Sequence, residues 1–166
     1  LPQYPSDDLY ALYADNDLRK KEFFAEDKGI IKFESDFPWS YIRFNLCSGA
    51  EMKLIIAEAE ARQGHDDAAL KELKEFAATR YTNYVEPAHA NVLQSILDER
   101  RKEFCFEPYI RWFDMRRLGV EINRKPRNKQ EDPEAYKLTK NDFRYTMPIP
   151  KKAELKDNNI DQNPGW

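Results

Sequence analysis

Residues able to do chemistry gather in two places along the sequence. Arg111-Trp112-Phe113-Asp114-Met115-Arg116-Arg117 sets guanidinium groups, a carboxylate and aromatic rings side by side. On a helix, Arg111 and Asp114 stand three apart and Trp112 and Arg116 four apart, so each pair shares a face. Two arrangements use that spacing. In a carbohydrate clamp, the indole face takes a sugar ring while Arg and Asp take its hydroxyls. In an internal buttress, Trp112 and Phe113 enter the core and Arg–Asp pairs fix the turn; this is the arrangement expected here. The second place is the loop around Pro38, which carries Trp39 and Tyr41. An exposed indole in a loop can stack on a pyranose, whose apolar ring face meets the π face while its polar rim stays wet. The alternative is a loop anchor tucked onto the domain. Tyr4, between prolines of the opening segment, is a candidate sugar contact of the same kind.

Catalytic patterns are missing from the sequence. Glycoside hydrolysis needs two carboxylates facing each other across the bond, one with a raised pKa. With 30 acidic residues some pair is inevitable, and none is marked by its setting. His65 and His89 stand alone, without a zinc-ligand spacing. Asp15, Asn16 and Asp17 lack the glycine and distal Glu of a calcium loop. There is no nucleophile elbow and no phosphate-cradling glycine loop. The expectation is a binding protein with no enzyme activity, no metal and no cofactor.

With 27 basic residues against 30 acidic, the net charge of −3 gives no reason to expect nucleic acid. The short basic run Arg124-Lys125-Pro126-Arg127-Asn128-Lys129 is followed by acids and reads as a solvated loop. A length of 166 residues fits one domain or a large piece of one. Aromatic residues make up 13%, enough for an aromatic-rich core. No run of eighteen apolar residues exists to span a membrane. Leu1-Pro2-Gln3-Tyr4-Pro5 lacks the basic and apolar regions of a signal peptide. Cys47 and Cys105 sit in apolar settings and read as buried free thiols rather than a disulfide.

The elements expected to position these residues are mostly helices. Ser6-Asp7-Asp8 opens one, with Leu9, Tyr10 and Tyr13 as its apolar patch. Asp15 to Arg19 is a turn or second start. Ile30-Ile31-Lys32-Phe33, after Gly29, reads as a short strand. Ser48-Gly49-Ala50-Glu51 is a capping box opening a helix over about Gly49 to Gln63, which stops at Gly64. Asp66-Asp67 begins the next, with Ala69, Leu73, Phe76 and Ala77 on one face. Together they make an αα-hairpin. Its small residues Ala57, Ala61, Gly64 and Ala68 resemble one tetratricopeptide unit, and a single unit needs partner helices to bury its faces. A third helix runs over about His89 to Phe106, with Val92, Leu93, Ile96 and Leu97 as its stripe and Glu99 to Glu103 mostly solvated. Pro108 interrupts it; a fourth, short helix ends at Leu118 before Gly119. Arg124 to Glu134 reads as a mobile loop, and Tyr136 to Phe143 as extended or a single turn.

The last twenty-two residues, from Tyr145, carry three prolines and cannot be helical. Their apolar anchors are Tyr145, Met147, Ile149, Leu155, Ile160 and Trp166. Pro148-Ile149-Pro150, Glu154 and Gln162-Asn163-Pro164-Gly165-Trp166 resemble the closing signature of the SusD/RagB family of glycan-capture lipoproteins. Further segments fit in order. Asp8 to Tyr13 with Asp17-Leu18-Arg19, Arg43 to Gly64, and Asp98 to Glu107 followed by Arg111 to Gly119 each resemble a family motif. Pro108 stands where the family usually has Gly, and one extra residue precedes Arg111. The resemblance implies a mainly α fold: tetratricopeptide-like helical hairpins with an irregular proline-rich C-terminal extension. It implies that residues 1–166 are the C-terminal part of one SusD/RagB-like domain whose N-terminal part is absent. It also implies a surface lipoprotein of the outer membrane that holds an oligosaccharide over a SusC-like TonB-dependent transporter. The lipid anchor would lie on the missing N-terminal part. In that setting Arg111, Trp112, Asp114, Arg116 and Arg117 form a scaffold motif, because the motif recurs whatever the glycan. A helical scaffold that binds protein and no sugar is the alternative.

Overall fold

The computed structural model describes residues 3–34, 47–107, 109–124, 136–150 and 160–166. The order of elements is α1 (Asp7–Tyr10), α2 (Arg19–Phe23), β1 (Phe24–Asp27), β2 (Ile30–Phe33), α3 (Gly49–Arg62), α4 (Asp66–Ala77), α5 (Val92–Glu103), α6 (Ile110–Leu118), β3 (Ile122–Asn123) and β4 (Lys137–Leu138). Single 3-10 turns occupy His89–Asn91 and Phe143–Tyr145. Helix dominates, as expected, and the strands form two short antiparallel pairs, β1–β2 and β3–β4. The chain divides into two compact units, Leu1–Cys105 and Phe106–Trp166.

The first unit is built on the α3–α4 hairpin. The Ser48 hydroxyl accepts the Glu51 backbone N–H at 3.1 Å and starts α3. The Glu51 carboxylate does not close a capping box on Ser48; it accepts from Arg100 at 3.0 Å. Gly64, at φ +78°, turns the chain into α4. Lys53, early in α3, reaches Glu72 at 2.5 Å and also binds Glu75, late in α4, so the two helices run antiparallel. Helix α5 packs against both. Leu54 and Ala57 from α3, Ala69, Leu73 and Phe76 from α4, and Val92 and Ile96 from α5 are buried and make the core. Each large side chain among them contributes roughly 1.5–3 kcal/mol by leaving water.

The N-terminal segment lies on α5. Tyr13 is buried, and its hydroxyl donates to the Lys102 carbonyl at 2.7 Å and meets Cys105 Sγ at 3.2 Å. Phe24 takes Tyr10, Tyr13 and Phe33 edge-on, with ring centroids 5.3, 5.1 and 6.0 Å away. Lys28 (φ +53°) and Gly29 (φ +79°) make the two-residue loop that joins β1 to β2, the left-handed pair a tight hairpin requires. β1 was not expected from the sequence: Phe24-Ala25-Glu26-Asp27 contains no β-branched residue to mark it.

Two expectations are corrected in this unit. Cys47 is exposed, because it precedes the cap of α3 where the chain enters the helix; Cys105 is buried, and both are free thiols. The larger correction concerns α5: Glu99, Arg100 and Lys102 are buried rather than solvated. Arg19 is the reason. Its guanidinium, in a side chain only 7% exposed, donates to Asp17 at 2.8 Å, Glu99 at 2.6 Å and Glu103 at 3.1 Å. Lys102 Nζ joins at 2.6 Å from Glu99 and 3.4 Å from Asp17. Arg80 closes on Glu103 at 2.5 Å, and the Tyr81 hydroxyl donates to Glu99. Burial alone would raise the Asp17 carboxyl, but the hydrogen bonds and charge of Arg19, with Lys102 behind them, hold it below its ordinary value. Burial, then the Glu99 carboxylate, pushes the Tyr81 hydroxyl up, so it stays a proton donor.

Arg19→Met would leave three carboxylates without their shared cation, and the unfolding free energy in urea should fall by about 3–5 kcal/mol. The sign of the pH effect follows from Asp17: a carboxyl lowered in the folded state adds stability above its ordinary value of 3.8 and loses it as pH falls from there through the lower folded-state value. The unsubstituted chain should therefore lose stability more steeply below about pH 4 than Arg19→Met. Equal slopes in urea melts across that range would contradict the assignment.

Candidate functional site

Helix α6 carries the Arg111–Arg117 motif and organises the second unit. Tyr109 precedes it in a left-handed conformation at φ +68°, and Gly119 ends it at φ +61°. The Val120 N–H donates back to the Met115 carbonyl at 2.9 Å, a Schellman-type closure. Asp114 and Met115 face inward. Asp114 accepts Arg117 Nε at 2.8 Å, an i,i+3 pair on the helix. The Trp112 indole N–H donates to the Tyr145 carbonyl at 3.2 Å, and the two rings lie 5.1 Å apart. Tyr145 is itself buried, with its hydroxyl donating to the Val120 carbonyl at 2.5 Å. One tyrosine thus ties α6, the turn after it and the approach to the C-terminus.

Among the described residues from Tyr145 onward, 145–150 and 160–166, the chain is held by side chains instead of a strand ladder. Pro148 and Pro150 have no backbone N–H, so Ile149 offers the one amide of that triplet. Gln162 takes both halves of the peptide group: its Oε1 accepts the Ile149 N–H at 2.8 Å and its Nε2 donates to the Ile149 carbonyl at 2.9 Å. Asn163 Nδ2 donates to the Met147 carbonyl at 2.7 Å, and Trp166 Nε1 to the Thr146 carbonyl at 2.8 Å. Phe143 meets the Trp166 ring edge-on at 5.5 Å. Gly165 sits between them at φ +92°, where a Cβ would lie 2.6 Å from the Phe143 ring. The start of this clasp is fixed by Asp142, which accepts the Arg144 backbone N–H at 2.9 Å and pairs with its guanidinium. That pairing lowers the Asp142 carboxyl to about 2.

The sequence candidates distribute as follows. Trp39 and Tyr41 lie outside the described residues. Tyr4 is exposed in the first unit, beside Gln3, whose carbonyl accepts the Phe33 N–H at 2.8 Å. In the motif, Trp112 has the geometry of a buttress, while Arg116 projects to solvent. Phe113, expected in the core, is 59% exposed and stacks against Tyr109, itself 64% exposed. The cause is helical phase: α6 turns Asp114 and Met115 inward, so the neighbouring Phe113 turns out. Tyr109 was missed by sequence reasoning; the signal was the extra residue beside Pro108. Met147, Ile160 and Trp166, all expected as anchors, are exposed; Met147 gives the clasp its carbonyl and Trp166 its indole N–H. Among the described residues no cluster of His, Cys, Asp and Glu could hold a metal ion, and no helix is long and apolar enough to cross a membrane.

A sequence model of the SusD family matches residues 24–166, across both units and through the clasp to Trp166. The chain belongs to the SusD family. The crystal structure of a SusD-like carbohydrate binding protein from Bacteroides vulgatus has the same fold over 93% of the chain, with a TM-score of 0.63 and 22% identity. The chain spans 40% of that protein's length. No curated protein matches the sequence.

In this SusD-family chain the clasp is built around Gly165, whose positive φ and lack of a Cβ both suit its place against Phe143. Gly165→Ala should expel Trp166 from Phe143, at a local cost of roughly 1–3 kcal/mol. The expected readout is a red-shifted tryptophan emission and faster proteolysis after Tyr145, with the first unit still cooperative in urea. Trp112→Phe should keep the ring contact but strand the Tyr145 carbonyl, lowering stability by about 1–3 kcal/mol. An unchanged urea midpoint for Trp112→Phe would show that the indole N–H holds nothing.

Proposed function

We propose that the protein is a non-catalytic binding protein of the cell surface, which captures an oligosaccharide and passes it to a SusC-like TonB-dependent transporter in the outer membrane. Membership of the SusD family, over residues 24–166, is the observation that carries this reading. The relative of like fold, described as a carbohydrate binding protein, supports the ligand class. Residues 1–166 would form the C-terminal part of one SusD-like domain, in keeping with the 40% of the relative's length that they span. A lipid on the polypeptide preceding Leu1 would provide the membrane anchor.

The division of labour we propose puts sugar contact on Trp39, Tyr41 and Tyr4 and scaffold duty on Arg111, Trp112, Asp114, Arg116 and Arg117. The stacking chemistry suits aromatic rings on loops and edges, whereas the indole N–H of Trp112 is already spent on Tyr145. The α3–α4 hairpin favours a second reading, a helical scaffold that binds protein and no sugar.

Isothermal titration of the full-length protein against a glycan panel separates the two. Binding to at least one oligosaccharide, weakened about two- to tenfold by Trp39→Ala, is the expected result, since an aromatic stacking contact is worth about 0.5–1.5 kcal/mol. Silence across the panel with transporter binding retained would favour the scaffold. Release of reducing ends, abolished by one carboxylate substitution, would overturn the non-catalytic assignment.

A further inference from the structure

Helix α6 turns one uncommitted stripe outward. Tyr109, Phe113 and Arg116 fall at i, i+4 and i+7, on the face opposite the buried Asp114 and Met115, and all three are exposed. The rings of Tyr109 and Phe113 lie 6.4 Å apart between centroids, with their planes 30° from parallel. Stacked rings so far apart are offset, which leaves a broad part of each open to solvent. The polar groups of the stripe are equally open: neither the Tyr109 hydroxyl nor the Arg116 guanidinium has a hydrogen bond or ion pair among the described residues. Arg116 serves the scaffold through its backbone, whose carbonyl accepts the Gly119 N–H at 3.3 Å. Its neighbours are committed, Arg117 to Asp114 at 2.8 Å and the Trp112 indole to the Tyr145 carbonyl at 3.2 Å. Phe106 (φ +62°) and Tyr109 (φ +68°) both hold a left-handed conformation that bulky residues avoid, and strain of this kind gathers at binding sites. This is also the stretch where the sequence departs from the family motif, with Pro108 in place of Gly and one extra residue before Arg111.

We propose that Tyr109, Phe113 and Arg116 form a subsite for an acidic sugar, a pyranose stacked on the two rings with its carboxylate on the Arg116 guanidinium. The chemistry of the stripe selects that ligand. A pyranose has an apolar ring face and a polar rim, and here an aromatic surface has a hydroxyl and a guanidinium beside it. A guanidinium with no carboxylate of its own calls for an anion, and its planar fork matches a carboxylate with two parallel hydrogen bonds. A neutral sugar would use the rings and leave the cation idle. A protein partner fits less well: a stable complex buries roughly 800 Å² on each side, several times what three side chains offer.

The inference deepens the glycan-binding reading and rests on it. Titration calorimetry of the full-length protein uses oligogalacturonate, oligomannuronate and oligoglucuronate, each beside its methyl ester, which keeps the ring and removes the charge. At least one acid should bind about tenfold or more tighter than its ester, the scale of a hydrogen bond to a charged group. This comparison is made on the unsubstituted protein, so it needs no variant to fold. Arg116→Gln should bring the pair to within about twofold, whereas Lys71→Gln, which removes one exposed charge from α4, should keep the preference. Phe113→Leu retains hydrocarbon but loses the ring face, and should weaken the acid about two- to tenfold. Acid and ester bound alike would refute the subsite. So would a preference that survives Arg116→Gln or disappears in Lys71→Gln, or an affinity untouched by Phe113→Leu. Neutral glycans bound through Trp39, with no preference for the acids, would sink the subsite and leave glycan capture standing; silence from acids and neutral glycans alike would remove both.

Discussion

The buried guanidinium of Arg19 is the constraint on which the first unit turns. A charge so far from water is tolerated only if anions surround it in good geometry. Asp17, Glu99 and Glu103 meet that need, and Lys102, Arg80 and Tyr81 in turn satisfy the oxygens that Arg19 leaves over. Because these groups come from the turn before α2, the end of α4 and the face of α5, one cation sets where three segments meet. Apolar packing of α3, α4 and α5 supplies the bulk of the cohesion. The ionic cluster supplies position: an apolar face can slide, whereas a fork of N–H donors aligned to three carboxylates cannot.

The second unit meets the same problem of order with different means. Around Pro148 and Pro150 only Ile149 offers a backbone amide, so side-chain amides replace backbone partners there. Gln162 does for Ile149 what a neighbouring strand would do elsewhere, satisfying one donor and one acceptor with a single planar group. Trp112 and Trp166 each spend the indole N–H on a backbone carbonyl. Among the described residues of the SusD-type ending, the hydrogen bonds are local and come from a handful of residue types.

How much of this was readable in the sequence depended on how local the determinants were. Helix α3 was legible because Ser48 and Gly64 mark its ends within the segment, and α4 because Ala69, Leu73, Phe76 and Ala77 repeat at one period. The clasp was legible as a signature, although which of its residues are anchors was not: Met147 and Ile160 read as hydrophobic but lie outside. The run Glu99 to Glu103 misled because charge runs are ordinarily solvated, and its partners sit 80 residues away in sequence. Phe113 misled for a subtler reason. The motif could be phased on Trp112 or on Phe113, and only the placement of Tyr145 decides which ring enters. The stacking candidates Trp39 and Tyr41 lie outside the described residues, and sequence names their chemistry but not the direction their rings take.

The long reach of the Arg19 cluster carries a kinetic meaning. The α3–α4 hairpin closes on contacts fewer than 25 residues apart, such as Lys53 with Glu72, 19 residues away, and can assemble early at little loop-closure cost. Arg19 and Tyr13, by contrast, find Glu99 and Cys105 across 80 and 92 residues. During synthesis the segment carrying Tyr13 and Arg19 must wait, with a guanidinium and an aromatic patch uncommitted, until α5 has emerged. Of the elements that meet at this cluster, the one made earliest is thus among the last to settle.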